Sequence, residues 1–203
     1  MKLAAVVVTF NRLEQLKITV ARLLTEDIDH IVVVNNASTD DTANWLATQS
    51  APRLEVLTLP ENTGGAGGFE AGARHLQAAH DPEWIALMDD DARPDPTALR
   101  AFHARDRSGQ DAWAAAVRHP DGRICDINRP SINPFWNRAA FLRTASGSGR
   151  EGFHLMPSDY EGTGLRAVDA ASFVGLFVSA AAIERVGYPD GRLFVYGDDV
   201  LYT

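Results

Sequence analysis

The chain has 203 residues, 45% of them hydrophobic, which is enough for one α/β domain with a buried core. Acidic residues outnumber basic ones 27 to 19, and the net charge of −8 excludes non-specific nucleic-acid binding and a polybasic membrane patch. The single cysteine, Cys125, excludes an internal disulfide and a cysteine zinc cluster, and it fits a reducing compartment.

The first half alternates between two hydrophobic periods. The continuous run "LAAVVVTF" (Leu3–Phe10) predicts a strand buried on both faces. Leu13, Leu16, Val20, Leu23 and Leu24 then recur at helical spacing. "HIVVVNN" (His30–Asn36) predicts a second strand, and Ser38 with Asp41 reads as a capping box for a helix through Trp45 and Leu46. "LEVLTL" (Leu54–Leu59) is a third strand. A glycine-rich turn follows, then a helix from about Gly68 to Ala79. "WIALM" (Trp84–Met88) is a fourth strand, after which Asp95 caps a helix through Leu99 and Phe102. Repeated strand–helix–strand units predict a mainly parallel central sheet with helices on both faces, a Rossmann-like α/β architecture.

The second half is less regular. "RHPDGRI" reads as a tight turn between two strands. Residues 128–166, rich in Asn, Pro, Gly, Ser and Arg, predict a long and partly irregular loop region, and Val168–Gly187 predicts a strand, a turn and a short helix. "FVYGDDVLYT" ends the sequence where Asp198 and Asp199 open a new helix, so the expectation is one catalytic domain over 1–203 that is truncated at its C-terminus. "MKLAAVVVTFNR" lacks the length and cleavage region of a secretory signal. The longest apolar stretch, Ala170–Ile183, falls short of the ~17–25 residues that cross a bilayer. A cytoplasmic protein is expected, with peripheral attachment at the inner membrane face, through regions outside this chain, left open.

In open parallel sheets, ligands bind at the carboxyl ends of the strands. The polar clusters "TFNR", "NNAST", "PENTGGAGG" and "DDDARP" all fall there. Asp89, Asp90 and Asp91 are the strongest local signal, because adjacent carboxylates repel and call for a cation. On an extended segment Asp89 and Asp91 point to one side and Asp90 to the other. Two carboxylates with oxygen-only chemistry suit Mg²⁺ or Mn²⁺; the competing reading is an acidic strand-to-helix turn. Asn35 and Asn36 offer paired donors and acceptors to a nucleobase, or simply end the strand. Arg12 offers a charge to a phosphate, or is an exposed residue at a helix start. Gly65 and Gly67 lack the dinucleotide spacing, since position 70 is Glu70, and no Walker lysine follows. That leaves a loop able to pass close to a ligand, or a plain turn. The six histidines lack the HExxH spacing and predict no histidine metal motif.

Taken together, "VVVTFNR", "VVVNNASTDDT", "NTGGAGGFEAG", "LMDDDARPDP" and "FVYGDD" resemble a family 2 glycosyltransferase with the A-type (GT-A) nucleotide-diphosphosugar-binding fold. "NTGGAGGF" with "MDDDARPDP" is similar to the branch of galactofuranosyltransferases and rhamnosyltransferase-like proteins. The resemblance implies an inverting, metal-dependent transfer from a UDP- or dTDP-linked sugar. The acceptor would be a hydroxyl of a cell-wall, polysaccharide or lipid-linked glycan. It implies nucleotide contacts from Thr9, Arg12, Asn36, Asn62, Gly65, Asp89 and Asp90. It implies Mn²⁺ or Mg²⁺ at Asp89 and Asp91, the DXD motif, and Asp199 as catalytic base with Asp198 as helix cap. The expectation it implies for the domain is that residues 1–107 form its nucleotide-binding half and 108–203 its acceptor-side half. Asn36 stands where the family commonly has an aspartate, and Leu201 where relatives often carry another acid. A nucleotidyltransferase is the enzymatic alternative, but the absence of glycine in "TFNRLEQLK" weighs against it. A non-catalytic nucleotide-binding fragment is the alternative of a different class.

Overall fold

Strand β1 (Leu3–Thr9) is buried along its whole length and forms the centre of the molecule. The computed structural model describes residues 1–162, 164–194 and 197–203, with Asp198 described by its backbone alone. In chain order β1 is followed by α1 (Leu13–Leu23), β2 (His30–Asn35), α2 (Thr42–Ala47), β3 (Leu54–Thr58), α3 (Gly64–His80), β4 (Trp84–Asp89) and α4 (Ala98–Ala104). The sheet has six strands in the order β3-β2-β1-β4-β6-β5, where β5 is Ala112–Ala114 and β6 is Leu176–Ser179. β1, β2, β3 and β4 pair in parallel, whereas β6 runs antiparallel to both β4 and β5. The expected parallel α/β sheet is present, with an antiparallel edge contributed by the second half.

Side-chain alternation divides the core into two layers. Leu3, Ala5 and Val7 of β1 pack with Leu16, Val20 and Leu23 of α1 and with Leu99 and Phe102 of α4. Ala4, Val6 and Val8 face Phe69, Ala73 and Leu76 of α3. This second layer continues into Phe173, Leu176, Val178, Ala182 and Ile183, which joins the irregular half to the parallel half through β6 and α6 (Ala180–Val186).

α3 begins at Gly64, four residues before the expected start, so the glycine cluster lies inside the helix rather than in a turn. Two of these glycines have packing reasons. A Cβ on Gly68 would lie 2.5 Å from Val8 Cγ1, and one on Gly72 would lie 2.4 Å from Val6 Cγ1. Glycine lets the helix axis approach the sheet where a β-branched surface leaves no room. The expected capping box at Ser38 and Asp41 and the expected Asp95 cap also give way to other bonds. Ser38 N donates to Asn35 Oδ1 at 3.0 Å, Ser38 Oγ accepts from Asn11 N at 3.1 Å, and α2 takes Asp41 as its N-cap without a side-chain cap bond. Asp95 accepts from Thr97 N at 3.0 Å in the turn before α4, whose N-cap is Thr97.

Residues 115–175 carry short helical turns, including α5 (Arg138–Arg143), and isolated bridges such as Arg118 with Ile124 across the "HPDG" turn. No helix among the described residues is long and apolar enough to cross a membrane. The last residues form α7 (Asp198–Tyr202). Tyr202 packs edge-on against Phe173 and donates to Gly187 O at 3.0 Å, while Thr203 Oγ1 accepts from Ala171 N at 3.0 Å. The end of the described chain is thus a short helix tied to the core.

Candidate active site

The loops at the carboxyl ends of β1, β2 and β4 converge, and the three aspartates lie there. β4 ends at Asp89, and Ala92 N donates to Asp89 O at 3.1 Å, so the chain turns at once. The strand alternation expected for Asp89 and Asp91 therefore stops before Asp91. Asp90 continues the face of β4 that carries Trp84, Ala86 and Met88, and it is 3% exposed. Its Oδ2 accepts from Thr9 Oγ1 at 2.7 Å, and its main-chain carbonyl accepts from Thr19 Oγ1 of α1 at 2.6 Å. Arg12, on the loop between β1 and α1, closes the cluster, with Nη1 3.5 Å from Asp90 Oδ1 and Nη2 2.9 Å from Asp91 Oδ2. Asp90 and Asp91 thus share one guanidinium, which offsets the repulsion noted in the sequence. Burial pushes the Asp90 carboxyl above its ordinary range; the Thr9 hydroxyl and Arg12 pull it back, and Asp91 adds to the rise.

Sequence reasoning did not single out Thr19. A threonine on the apolar face of α1 looks like core, and only the fold brings it to Asp90.

A second network surrounds Asn36, which is 2% exposed. Its Nδ2 donates to Asn62 Oδ1 at 3.0 Å and to Gly64 O at 2.9 Å. Its Oδ1 accepts from Thr63 N at 3.0 Å and from Thr63 Oγ1 at 3.2 Å. Two amide donors and two acceptor positions are all engaged, so Asn36 fastens the loop before α3 rather than offering an edge to a base. Asn62 joins the same network, since its Oδ1 also accepts from Gly64 N at 2.9 Å. Asn11 locks the first loop to the third by accepting from Thr39 N at 2.7 Å, and its left-handed backbone (φ 55°) is one that Asn tolerates.

The glycines at the start of α3 separate into different roles. A Cβ on Gly64 (φ 73°) would meet Phe194 O at 2.1 Å, and a Cβ on Gly67 would meet Thr63 Oγ1 at 2.4 Å. Gly65 has nothing among the described residues within 4 Å of the position a Cβ would take. The segment Gly191–Phe194 thus lies on the start of α3, with Gly191 N donating to Glu70 Oε2 at 3.1 Å. Asp199 follows shortly afterwards in the first turn of α7, partly exposed, and its Oδ1 accepts from Val200 N at 2.8 Å. The N-cap of α7 is Gly197, so Asp198 occupies the first helical position rather than the cap; its side chain lies outside what the structure describes. A groove lined by Asn133, Trp136, Phe153, Val200, Leu201 and Thr203 runs beside α7.

The donor set fits a hard divalent cation. Asp89 is partly exposed at the end of β4, and Asp91 is exposed with one oxygen on Arg12. Both offer carboxylate oxygens, the chemistry of Mg²⁺ and Mn²⁺ sites. Asp90 is buried against Thr9 and Arg12, whereas Asp89 is partly exposed and Asp91 is exposed by the turn rather than by strand alternation.

Comparisons with known proteins bear on the family and the fold. The family model described as glycosyl transferase family 2 matches residues 4–157. The galactofuranosyltransferase GlfT1 of Mycolicibacterium smegmatis is 32% identical over 207 residues, covering 97% of this chain and 62% of the relative. An undecaprenyl-phosphate mannosyltransferase of Micrococcus luteus is 27% identical, covering 83% of this chain and 70% of that protein. The chain therefore spans about three-fifths of the length of the GlfT1 relatives it matches. Among solved structures, TarS residues 1–349 of S. aureus superimposes with a TM-score of 0.66 at 17% identity, covering 100% of this chain and 54% of that one. The mannosyltransferase PcManGT of Pyrobaculum calidifontis, solved with GDP-Man and Mn²⁺, gives 0.62 at 19% identity, covering 99% of this chain and 50% of that one. The architecture is that of GT-A glycosyltransferases, and the chain belongs to glycosyl transferase family 2.

Proposed function

We propose that this chain carries the catalytic domain of an inverting glycosyltransferase. It would use a UDP- or dTDP-linked sugar and a hydroxyl of a cell-wall, polysaccharide or lipid-linked glycan. The observation that carries the reading is the Thr9–Arg12–Asp90–Asp91 cluster at the carboxyl ends of β1 and β4. Such a cluster supplies both charge signs at the edge where parallel sheets bind phosphorylated ligands. The galactofuranosyl relatives support a furanosyl or hexosyl donor.

Residues 1–107 hold the donor in this reading. Arg12, half-exposed and already poised against carboxylates, gives its guanidinium to the diphosphate. Asp90, held by Thr9 and Thr19, fixes the turn that presents Asp89 and Asp91. Gly65, with open space around it, lets the nucleotide approach the start of α3, and Asn36 and Asn62 hold the loop leading there. A Mg²⁺ or Mn²⁺ ion held by Asp89 and Asp91 would supply positive charge beside the leaving diphosphate.

Residues 108–203 form the acceptor side. The groove beside α7 is the acceptor site in this reading, and Asp199, in the first turn of the same helix, would accept the proton of the attacking hydroxyl. The new glycosidic bond forms on the face of the anomeric carbon opposite the breaking C–O bond to phosphate. The electron pair of that bond leaves with the nucleoside diphosphate.

Titration calorimetry with UDP and dTDP, with and without Mn²⁺, tests the donor half. The expected result is metal-enhanced binding of one nucleotide and loss of that enhancement in Asp91→Ala, with an unchanged circular dichroism spectrum. Equal metal dependence in wild type and variant refutes the assignment.

A further inference from the structure

The amino end of the sheet carries a second cluster that sequence spacing does not reveal. His30 opens β2, Glu55 lies in β3, and His80 ends α3. One potential ligand atom from each of the three lies within 4.8 Å of the others. Parity explains the meeting. Val32 and Val34 of β2, and Leu57 of β3, face α3, so His30 and Glu55, an even number of residues away, face it as well. The last turn of α3 then brings His80 over both.

The bonding within the cluster is incomplete. The His80 ring contacts Glu55 Oε1, and His75 Nε2 lies 2.9 Å from Glu55 Oε2. The imidazoles of His30 and His80 stack with centroids 3.7 Å apart. His30 Nδ1 is buried and has no hydrogen-bond partner among the described residues. A buried ring nitrogen left without a bond is uncommon, because an unpaired buried polar group carries its full desolvation cost. It has a ready use as a metal ligand.

We propose that His30, Glu55 and His80 bind a single Zn²⁺ ion, with His75 orienting the Glu55 carboxylate. Two imidazoles and one carboxylate form a set suited to Zn²⁺ and to neighbouring late transition metals, unlike the oxygen-only set at Asp89 and Asp91. The fourth position is left for water. Ligation requires one stacked ring to turn about χ2 so that a nitrogen of each faces the ion. His80, with a side chain 20% exposed, has room for that rotation. His75 matches the outer hydrogen-bond partners that commonly fix the ligands of metal sites. The ion would tie β2 and β3 to the C-terminal turn of α3, the helix whose first turn lies at the opposite, carboxyl end of the sheet.

The test uses Zn²⁺ alone, without nucleotide, so its outcome is separate from that of the donor-site reading. Wild-type protein should bind one Zn²⁺ by calorimetry, show a raised Tm, and give visible d–d bands when Co²⁺ replaces Zn²⁺. His80→Gln and Glu55→Gln should each weaken binding by at least about 10-fold, whereas Asp91→Ala should bind Zn²⁺ as wild type does. His80 and Glu55 are partly exposed, and circular dichroism of both variants verifies the fold. No Zn²⁺ binding by the wild type, or undiminished binding by both variants, refutes the site and leaves a hydrogen-bonded His–Glu cluster. Loss of binding in Asp91→Ala alone refutes it too, by placing the ion at the other end of the sheet.

Discussion

At the carboxyl end of the sheet, two neighbouring carboxylates share one arginine; at the amino end, one carboxylate is shared by two imidazoles. The first cluster is contiguous in the chain, with Asp89, Asp90 and Asp91 side by side. The second is gathered from positions 30, 55 and 80, which lie on three elements. Both join a strand end to a helix. Their donor chemistry differs, and so does what a substitution should do: variants at the carboxyl end should change ligand binding and turnover, and variants at the amino end should change stability or zinc affinity.

The largest expected effect lies on the functional side of that contrast. In an active form of the protein, Asp199→Asn should retain donor binding and slow transfer by about 10²–10⁴-fold, the range for loss of a positioned base. Initial rates at saturating donor measure this, and a wild-type rate would move the base elsewhere, with Asp198 the next residue to test. The helix linking the two ends provides the next effect. Gly72→Val places a side chain where Val6 Cγ1 and Val34 Cγ2 already lie 2.4 and 2.9 Å from a Cβ. Overpacking of this kind should cost about 1–3 kcal/mol in urea denaturation. Disturbance of both ends together would show that α3 couples them; a change at one end alone would separate them.

A smaller effect is expected at Gly65. Added bulk meets no atom of the described residues there. Gly65→Ala should leave stability unchanged or raise it by up to about 1 kcal/mol through helix propensity, while weakening nucleotide affinity. Undiminished affinity would reduce Gly65 to a helix residue with no ligand role.

The smallest effect concerns Asp90. Because burial raises its folded pKa, the fold retains its proton more firmly than the unfolded chain does. Its contribution to stability is then fully present below the unfolded pKa and is lost as pH rises through the folded value. Asp90→Asn should remove that loss, so the stability of the variant relative to wild type should rise with pH over the range above the ordinary aspartate pKa. Urea midpoints measured across that range test the sign; a constant difference would mean that Thr9 and Arg12 fully offset the burial.

Much of the fold was legible because β1, β2 and β4 are continuous apolar runs that demand burial on both faces. The start of α3 was misread because Gly64–Gly68 has the composition of a turn, whereas Gly68 supplies the space that Val8 occupies. The box at Ser38 and Asp41 failed because Asn11 and Asn35, from adjacent loops, engage Ser38 first. The carboxylates were found, but their geometry was not: alternation holds only while a strand continues, and β4 ends at Asp89. His30, Glu55 and His80 were invisible to spacing rules because a motif is a local pattern, and this cluster exists only after β2, β3 and α3 have packed together.

Asn36 bears on any effort to retune donor choice. Its amide holds Asn62, Thr63 and Gly64 through four hydrogen bonds, so it acts as a rivet in the scaffold. Replacing it with the aspartate common in the family exchanges the Nδ2 donor group for an acceptor. The new oxygen would then confront Asn62 Oδ1 and the Gly64 carbonyl, turning two attractions into two repulsions. An engineer seeking a different nucleotide would have to redesign residues 62–64 together with position 36, or leave both alone and work on the exposed rim around Arg12 and Gly65.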